Sequence, residues 1–251
     1  MNTTTTFSAQ APAATVPFRR DATVIGLVGL AHASSHFGHL LLPVMFPVFA
    51  REFGLSYAEL GFLMTVFFAV SGTGQATAGF VVDRIGARPA LFASLGLFLL
   101  ACLVAAAATG YPALLTVAVL AGLANSTFHP VDFSILNQRV SAPRLGHAFS
   151  AHGLTGNLGW ALAPAYFAAA TALWGWRAAY VGAALMYAAV LAFLALQRVH
   201  LRTEAVRHSA DAPKGSDLAF MRLPVVWWCF GFFFLSTMTL AVIQSFSVSL
   251  L

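Results

Sequence analysis

The chain has 251 residues, 59% of them hydrophobic and only 8% charged, with a mean hydropathy of +0.81. Soluble domains average about 45–50% apolar and about 25% charged residues, so a soluble globule is excluded, as are a disordered chain, a collagen-like fibre and a disulfide-rich secreted module. The formal charge of +5 implies no nucleic-acid partner in so apolar a chain and is read by position relative to the membrane.

At about 20 apolar residues per crossing, this length holds roughly seven to nine helices. Residues 1–22 are expected to form a disordered tail, rich in Thr, Ala and Pro and without an apolar run. A cleaved signal peptide does not fit, because the first apolar segment is far longer than a 7–15-residue h-region. Seven helices are predicted at about 23–50, 57–82, 90–110, 113–138, 146–170, 177–197 and 224–250. Gly, Pro or charge clusters separate them, among them Arg51 to Gly54, Asp83 to Pro89, Gly110 to Pro112, Ser141 to Arg144 and Trp174 to Arg177. The organisation expected is a tail (1–22), a six-helix bundle (23–197), a charge-rich linker (198–223) and the first helix of a second bundle (224–251). Cys102 and Cys229 both fall in apolar runs and read as small hydrophobes, not as a disulfide or metal pair.

The basic residues sort by side. Arg19, Arg20, Arg84, Arg88, Arg139, Arg144, Arg198, Arg202, Arg207, Lys214 and Arg222 share the side of the N-terminus, and only Arg51 and Arg177 lie opposite. By the positive-inside rule the N-terminus and the linker are cytoplasmic. The preference for Arg over Lys and the abundance of Ala point weakly to a GC-rich bacterial gene, and so to a bacterial inner membrane.

An internal repeat is present. Leu60-Gly61 and the helix after it align with Leu145-Gly146 and its helix, bringing Gly74, Ala76 and Ala78 onto Gly159, Ala161 and Ala163. Gly86-Ala87-Arg88 and Gly175-Trp176-Arg177 follow in equivalent places. Helices 1–3 then correspond to helices 4–6, and an odd number of spans per copy inverts one copy relative to the other.

Ionisable side chains at membrane depth mark functional sites. His32, His36 and His39 stand at i, i+4 and i+7 on one helical face. His36 falls about 20 Å along a helix starting near Thr23, close to the bilayer midplane. Two readings stand side by side: a proton or substrate pathway, since neutral His exchanges protons near neutral pH, and neutral hydrogen-bonded histidines that fix helix packing. The spacing also resembles the histidine boxes of membrane di-iron enzymes, but His129, His147 and His152 are scattered and no second box appears. No catalytic residue, cofactor or metal site is therefore expected, and a metalloenzyme is the remotest alternative. Helix 4 adds Asn125, His129, Pro130 and Asp132. Pro130 releases a carbonyl one turn earlier, giving a kink or a ligand. In helix 5, Gly153, Gly156 and Gly159 sit three apart for close helix contact. Asn157 faces another side and is a cavity-lining candidate.

Between helices 2 and 3 the sequence reads GFVVDRIGARPAL, from Gly79 to Leu91. It resembles the G-x-x-x-D-R-x-G-R-R/K signature loop of the major facilitator superfamily, with Gly79, Asp83, Arg84, Gly86 and Arg88 matching and Ala87 replacing a basic residue. Gly79 is expected to permit close helix approach, and Gly86 to support the tight turn. The runs HASSHFGHLLLPVMFPVF, EFGLSYAELGFLMTVFF and HPVDFSILNQR resemble the fosmidomycin-resistance-type branch. The resemblance covers about residues 23–250. It implies an all-α polytopic fold, with two inverted three-helix repeats in the first bundle, and transport of a small organic solute across the bilayer, in that branch by proton-coupled efflux. It implies that the signature loop is a cytoplasmic gate, and that Asp132 pairs with Arg84 or Arg88; we favour that pairing over a protonatable carboxylate, because Asp132 lies about 28 Å from a helix start near Ala113. One departure matters: many proton-driven exporters of the family carry an Arg in the outer half of helix 4, and Leu114 to Leu123 has none. A complete facilitator has two six-helix halves, so the chain is expected to be a fragment whose partner is the missing C-terminal half. The alternative is a half-size module that works by dimerising or binding another partner.

Overall fold

The computed structural model describes residues 17–203 and 219–250. The expected tail up to residue 16 and linker residues 204–218 lie outside the described residues.

The first helix, α1 (Phe18–His39), begins before residue 23, within the stretch expected to be tail. Asp21 explains this. Its buried carboxylate accepts from the Ser141 backbone at 3.4 Å, from the Ser141 hydroxyl, and from Arg144 at 2.7 Å. The first turn is thereby tied to the connection before the fifth span, which a search for apolar runs misses.

After α1 the first span breaks. Pro43–Met45 form a 3₁₀ turn and α2 (Phe46–Phe53) continues at a bend of 42°. The Tyr180 hydroxyl donates to the freed carbonyl of Leu41. Gly54, at φ 66°, ends α2 in the left-handed conformation. A capping box then starts α3 (Tyr57–Ile85): Ser56 N donates to Glu59 at 2.8 Å, and Glu59 N donates to Ser56 Oγ at 3.3 Å. Gly86 turns the chain into α4 (Ala87–Ala106). The fourth span is α5 (Tyr111–Ser126) and α6 (Phe128–Arg139), interrupted at Thr127. Pro130 sits in the first turn of α6, where its missing N–H costs nothing; of its two expected roles, the structure shows the break. α7 (Leu145–Trp174), α8 (Trp176–Leu196) and α9 (Pro224–Leu250) complete the order.

The chain is an all-α polytopic membrane protein. Among the described residues, 5 helices qualify as spans by length and apolar content, counting Tyr111–Arg139 as one, and up to 6 if the bent α1–α2 pair is a span. Seven spans were expected. α7 has the length, at 30 residues, but His, Asn and Gly in its first half lower its apolar content; it buries one face, including His152, Gly156, Gly159 and Ala163, and leaves Leu154, Leu158 and Leu162 exposed on the other.

The bundle has the pairing a repeat requires. α1 lies on α7, α3 on α5, and α4 on α8. Exchanging spans 1–3 with spans 4–6 swaps the first two pairs and preserves the third. Gly86 (φ 87°, ψ 154°) and Gly175 (φ 84°, ψ 160°) have the same backbone conformation in equivalent positions. The helix ends place the register about one turn away from the glycine alignment, since Ile85 rather than Pro89 is the counterpart of Trp174 when Gly86 matches Gly175. Both copies also have a broken first span.

At the end of the bundle shared with the start of α1, Arg88 donates to the Arg198 carbonyl and Arg139 to the Val199 carbonyl, each at 3.4 Å. At the opposite end Arg177 holds Glu52 at 3.2 Å and the Ala108 carbonyl at 2.9 Å. α9 touches the bundle through Phe246, which packs on Phe46 and against Gly61. Trp227, Trp228, Phe230 and Phe232–Phe234 are exposed.

Candidate buried His–Asp site

The α1 histidines line one face, as their spacing predicts, and the face meets α6 and α7. Asp132 of α6 is wholly buried. Its Oδ2 lies 3.1 Å from His32 Nδ1 and 3.1 Å from His152 Nε2. The His152 contact has hydrogen-bond geometry, whereas His32 Nδ1 and Asp132 Oδ1 have no hydrogen-bond partner. The rings of His32 and His152 stack with centroids 3.5 Å apart. His36 lies 4.3 Å from His32 and stacks on Trp160 at 4.2 Å. His129 is 5.4 Å from His32 and rests its Nδ1 3.5 Å from the Gln75 amide of α3.

Asn125, at the break between α5 and α6, organises the other end of the cluster. Its Nδ2 donates to Ser71 at 2.7 Å. Its Oδ1 accepts from Ser35 at 3.0 Å and lies 2.6 Å from His39 Nε2. An acceptor oxygen fixes the tautomer: Nε2 of His39 carries the proton and donates. His39 Nδ1 is then a buried acceptor with no protein partner.

Glycine makes the assembly fit. A Cβ on Gly159 would lie 2.1 Å from the Ala33 carbonyl, so α1 and α7 approach backbone to backbone. A Cβ on Gly156 would lie 2.7 Å from His36 and 2.9 Å from His32. The two imidazoles occupy the room that this glycine leaves.

Several expectations need correction. Asp132 does not pair with Arg84 or Arg88. It faces inward to His32 and His152, while Arg84 is exposed and Arg88 reaches Arg198. The broken fourth span turns this face of α6 into the bundle. His129 and His152 are not scattered but join the α1 histidines; His147 alone of those three is exposed outside the cluster. Asn157 is exposed and stands off the His152–Gly156–Trp160 face, since one residue further along a helix turns 100° away. Gly153 has open space around it, unlike Gly156 and Gly159; steps of three drift about 60° each, so three such glycines do not share a contact. Gly79 is likewise exposed with nothing near its Cβ position, whereas Gly74 lies tight against Ser126. Gly86 does take the turn expected of it. Asp83 is exposed and makes no ion pair among the described residues.

The sequence reading missed His152, Trp160, Ser35, Ser71 and Gln75 as members of the site. A usable signal existed for two: His152, Gly156 and Trp160 stand at i, i+4 and i+8 on α7, so the small residue marks the face that receives another helix. Two triads have ligand atoms within 4.8 Å of one another, His32–His36–His129 and His32–Asp132–His152. The site thus has the donor set for a cation, although no metal was expected.

Comparison with known proteins places this geometry in context. The model of the family described as Major Facilitator Superfamily matches residues 28–250. The chain is 29% identical over 186 residues to the Fosmidomycin resistance protein of Escherichia coli (strain K12), a match covering 73% of this chain and 46% of that protein. It is 28% identical over 152 residues to a Multidrug resistance protein B homolog of Mycobacterium tuberculosis (strain ATCC 25618 / H37Rv), covering 61% of this chain and 28% of the relative. The crystal structure of peptide transporter POT in complex with sulfate superposes with a TM-score of 0.64 at 18% identity, over 92% of this chain and 46% of that one; this likeness concerns the fold. The matched region is less than half of each of these proteins.

Proposed function

The chain belongs to the major facilitator superfamily, and from that membership we propose that it serves the movement of a small organic solute across a bacterial inner membrane, coupled to protons through the buried His–Asp cluster. Residues 18–197 act as the N-terminal six-helix half of a secondary transporter. Residues 198–223 are its cytoplasmic linker, and 224–251 the first helix of a C-terminal half that partners it. The N-terminus is cytoplasmic in this reading, which the arginine distribution supports. Efflux of a drug or metabolite is the direction we favour, by likeness to the resistance proteins. The signature residues Gly79, Asp83, Arg84, Gly86 and Arg88 act as the cytoplasmic gate.

The observation that carries the proton role is the position of Asp132, wholly buried with an imidazole nitrogen at 3.1 Å on each of two sides. No Lys or Arg is paired with it among the described residues. A buried carboxylate with only imidazoles for company is neutralised by a single proton, on itself or on His32 or His152. A second proton leaves the cluster with net positive charge at membrane depth, which is costly without compensation. Alternating protonation therefore changes the charge of a site built from both repeats, α1 from one and α6 and α7 from the other. Coupling sites of secondary transporters occupy such repeat interfaces, beside broken helices. His36, His39, His129 and Asn125 extend the path from this pair toward the break in span 4.

The reading is tested in inverted membrane vesicles carrying the chain together with its C-terminal half. An imposed pH gradient should drive uptake of at least one compound from a panel that includes fosmidomycin. Asp132→Asn and His36→Gln should each abolish the dependence on the gradient. Unchanged proton coupling in both variants overturns the assignment.

A further inference from the structure

We propose that His32, His36 and His129 form a binding site for one divalent transition-metal ion of the zinc, nickel or cobalt class. The ligand atoms of these three residues lie within 4.8 Å of one another. A tetrahedral ion with bonds of 2.0–2.1 Å needs its ligands about 3.4 Å apart, so side-chain rotation closes the shell. The three ring planes are strongly inclined, at 52°, 56° and 83° to one another, so in-plane lone pairs can converge on a point. The stacked rings of His32 and His152, at 23°, cannot do this equally well, which favours this triad over the one containing Asp132.

Two further observations point to a ligand. His36 Nδ1 is buried with no hydrogen-bond partner. It shares with His32 Nε2 the pocket beside Gly156, both lying within 2.9 Å of the place a Cβ would fill. The far nitrogens are also engaged as a metal shell requires. His32 Nδ1 faces the Asp132 carboxylate at 3.1 Å, and His129 Nδ1 faces Gln75 at 3.5 Å. Metal-binding histidines present their second nitrogen to such a carboxylate or carbonyl, which orients the ring and raises its basicity. Imidazole donors suit zinc-class ions rather than magnesium or calcium, and Asp132 supplies a nearby negative charge. The site shares all three of its histidines with the proposed proton path but does not depend on transport.

The test uses the full 251-residue protein in detergent, titrated with cobalt(II) as the probe. The expected result is one cobalt per chain, with the visible bands of tetrahedral imidazole coordination. His36→Gln and His129→Gln should each lose those bands, and Asp132→Asn should lower affinity about ten- to hundredfold. Gly156→Ala, which keeps every ligand but fills the pocket, should also weaken binding; the exposed His147→Gln should bind as the parent does. Circular dichroism and a monodisperse elution profile establish that each variant is folded. No stoichiometric cobalt on the folded parent overturns the site. So does full binding by folded His36→Gln and His129→Gln, including the case in which only His152→Gln removes it.

Discussion

Asn125 holds three partners at once: it accepts from Ser35 and His39 and donates to Ser71. Replacing it by Ala leaves a buried hydroxyl, a buried imidazole N–H and a second hydroxyl short of partners. Each such group costs about 1–3 kcal/mol when it finds no water. Asn125→Ala should therefore lower the thermal unfolding temperature in detergent clearly, and more than Asn157→Ala, whose side chain is exposed. Equal unfolding temperatures for the two variants would remove Asn125 from its organising role. Tyr180→Phe should have a smaller effect, about 1 kcal/mol, by leaving the Leu41 carbonyl without its hydroxyl donor at the break in span 1; an unfolding titration reads it. At this scale the sequence was half legible. The α1 histidines were found because i, i+4, i+7 spacing is local. His152 was read as scattered because its partners, Asp132 and His32, come from two other helices. The favoured partner of Asp132 was wrong because depth was counted along a straight helix, and the span is broken at Thr127.

Helices here are positioned by glycine at two kinds of place. Gly86 and Gly175 end α3 and α7 at positive φ with extended ψ, a region that L side chains enter only with strain of about 1–3 kcal/mol. Gly86→Ala and Gly175→Ala should destabilise the protein by similar amounts, because they occupy equivalent turns of the two repeats. A large effect at one turn and none at the other, in thermal unfolding, would argue against that equivalence. Gly159→Ala should do more damage than Gly153→Ala, since only the first meets a carbonyl, that of Ala33. The repeat order and the turn motifs were readable because Gly-x-Arg recurs after each long helix. The register was not, because Gly and Ala are frequent in all these helices and align by composition as readily as by equivalence; of the helix identities, the register set by the helix ends retains one only at Ala76, against Ala165. The start of α1 was also hidden, since a charged residue such as Asp21 reads as tail until its partners Ser141 and Arg144 are known.

The molecule as a whole separates its charges by side. Asp21 with Arg144, Arg88 with Arg198 and Arg139 with Val199 gather at one end, and Arg177 with Glu52 at the other. Cysteine placed by Ala58→Cys should react with a membrane-impermeant thiol reagent in intact cells, and cysteine placed by Ala142→Cys only after permeabilisation. The reverse pattern would invert the proposed topology. Composition disclosed the membrane class, because it depends on numbers of residues rather than on contacts, and the arginine count supports the proposed side assignment in the same way. The centre of the molecule was less legible: five imidazoles and a carboxylate from three helices meet there, and no single helix announces that meeting. The central claim is that this cluster carries protons for transport, and the most direct measurement is pH-gradient-driven solute uptake by vesicles carrying the chain with its C-terminal half, parent and Asp132→Asn side by side. The account predicts gradient-dependent uptake in the parent and none in the variant at equal protein content; uptake that responds equally to the gradient in both would contradict it.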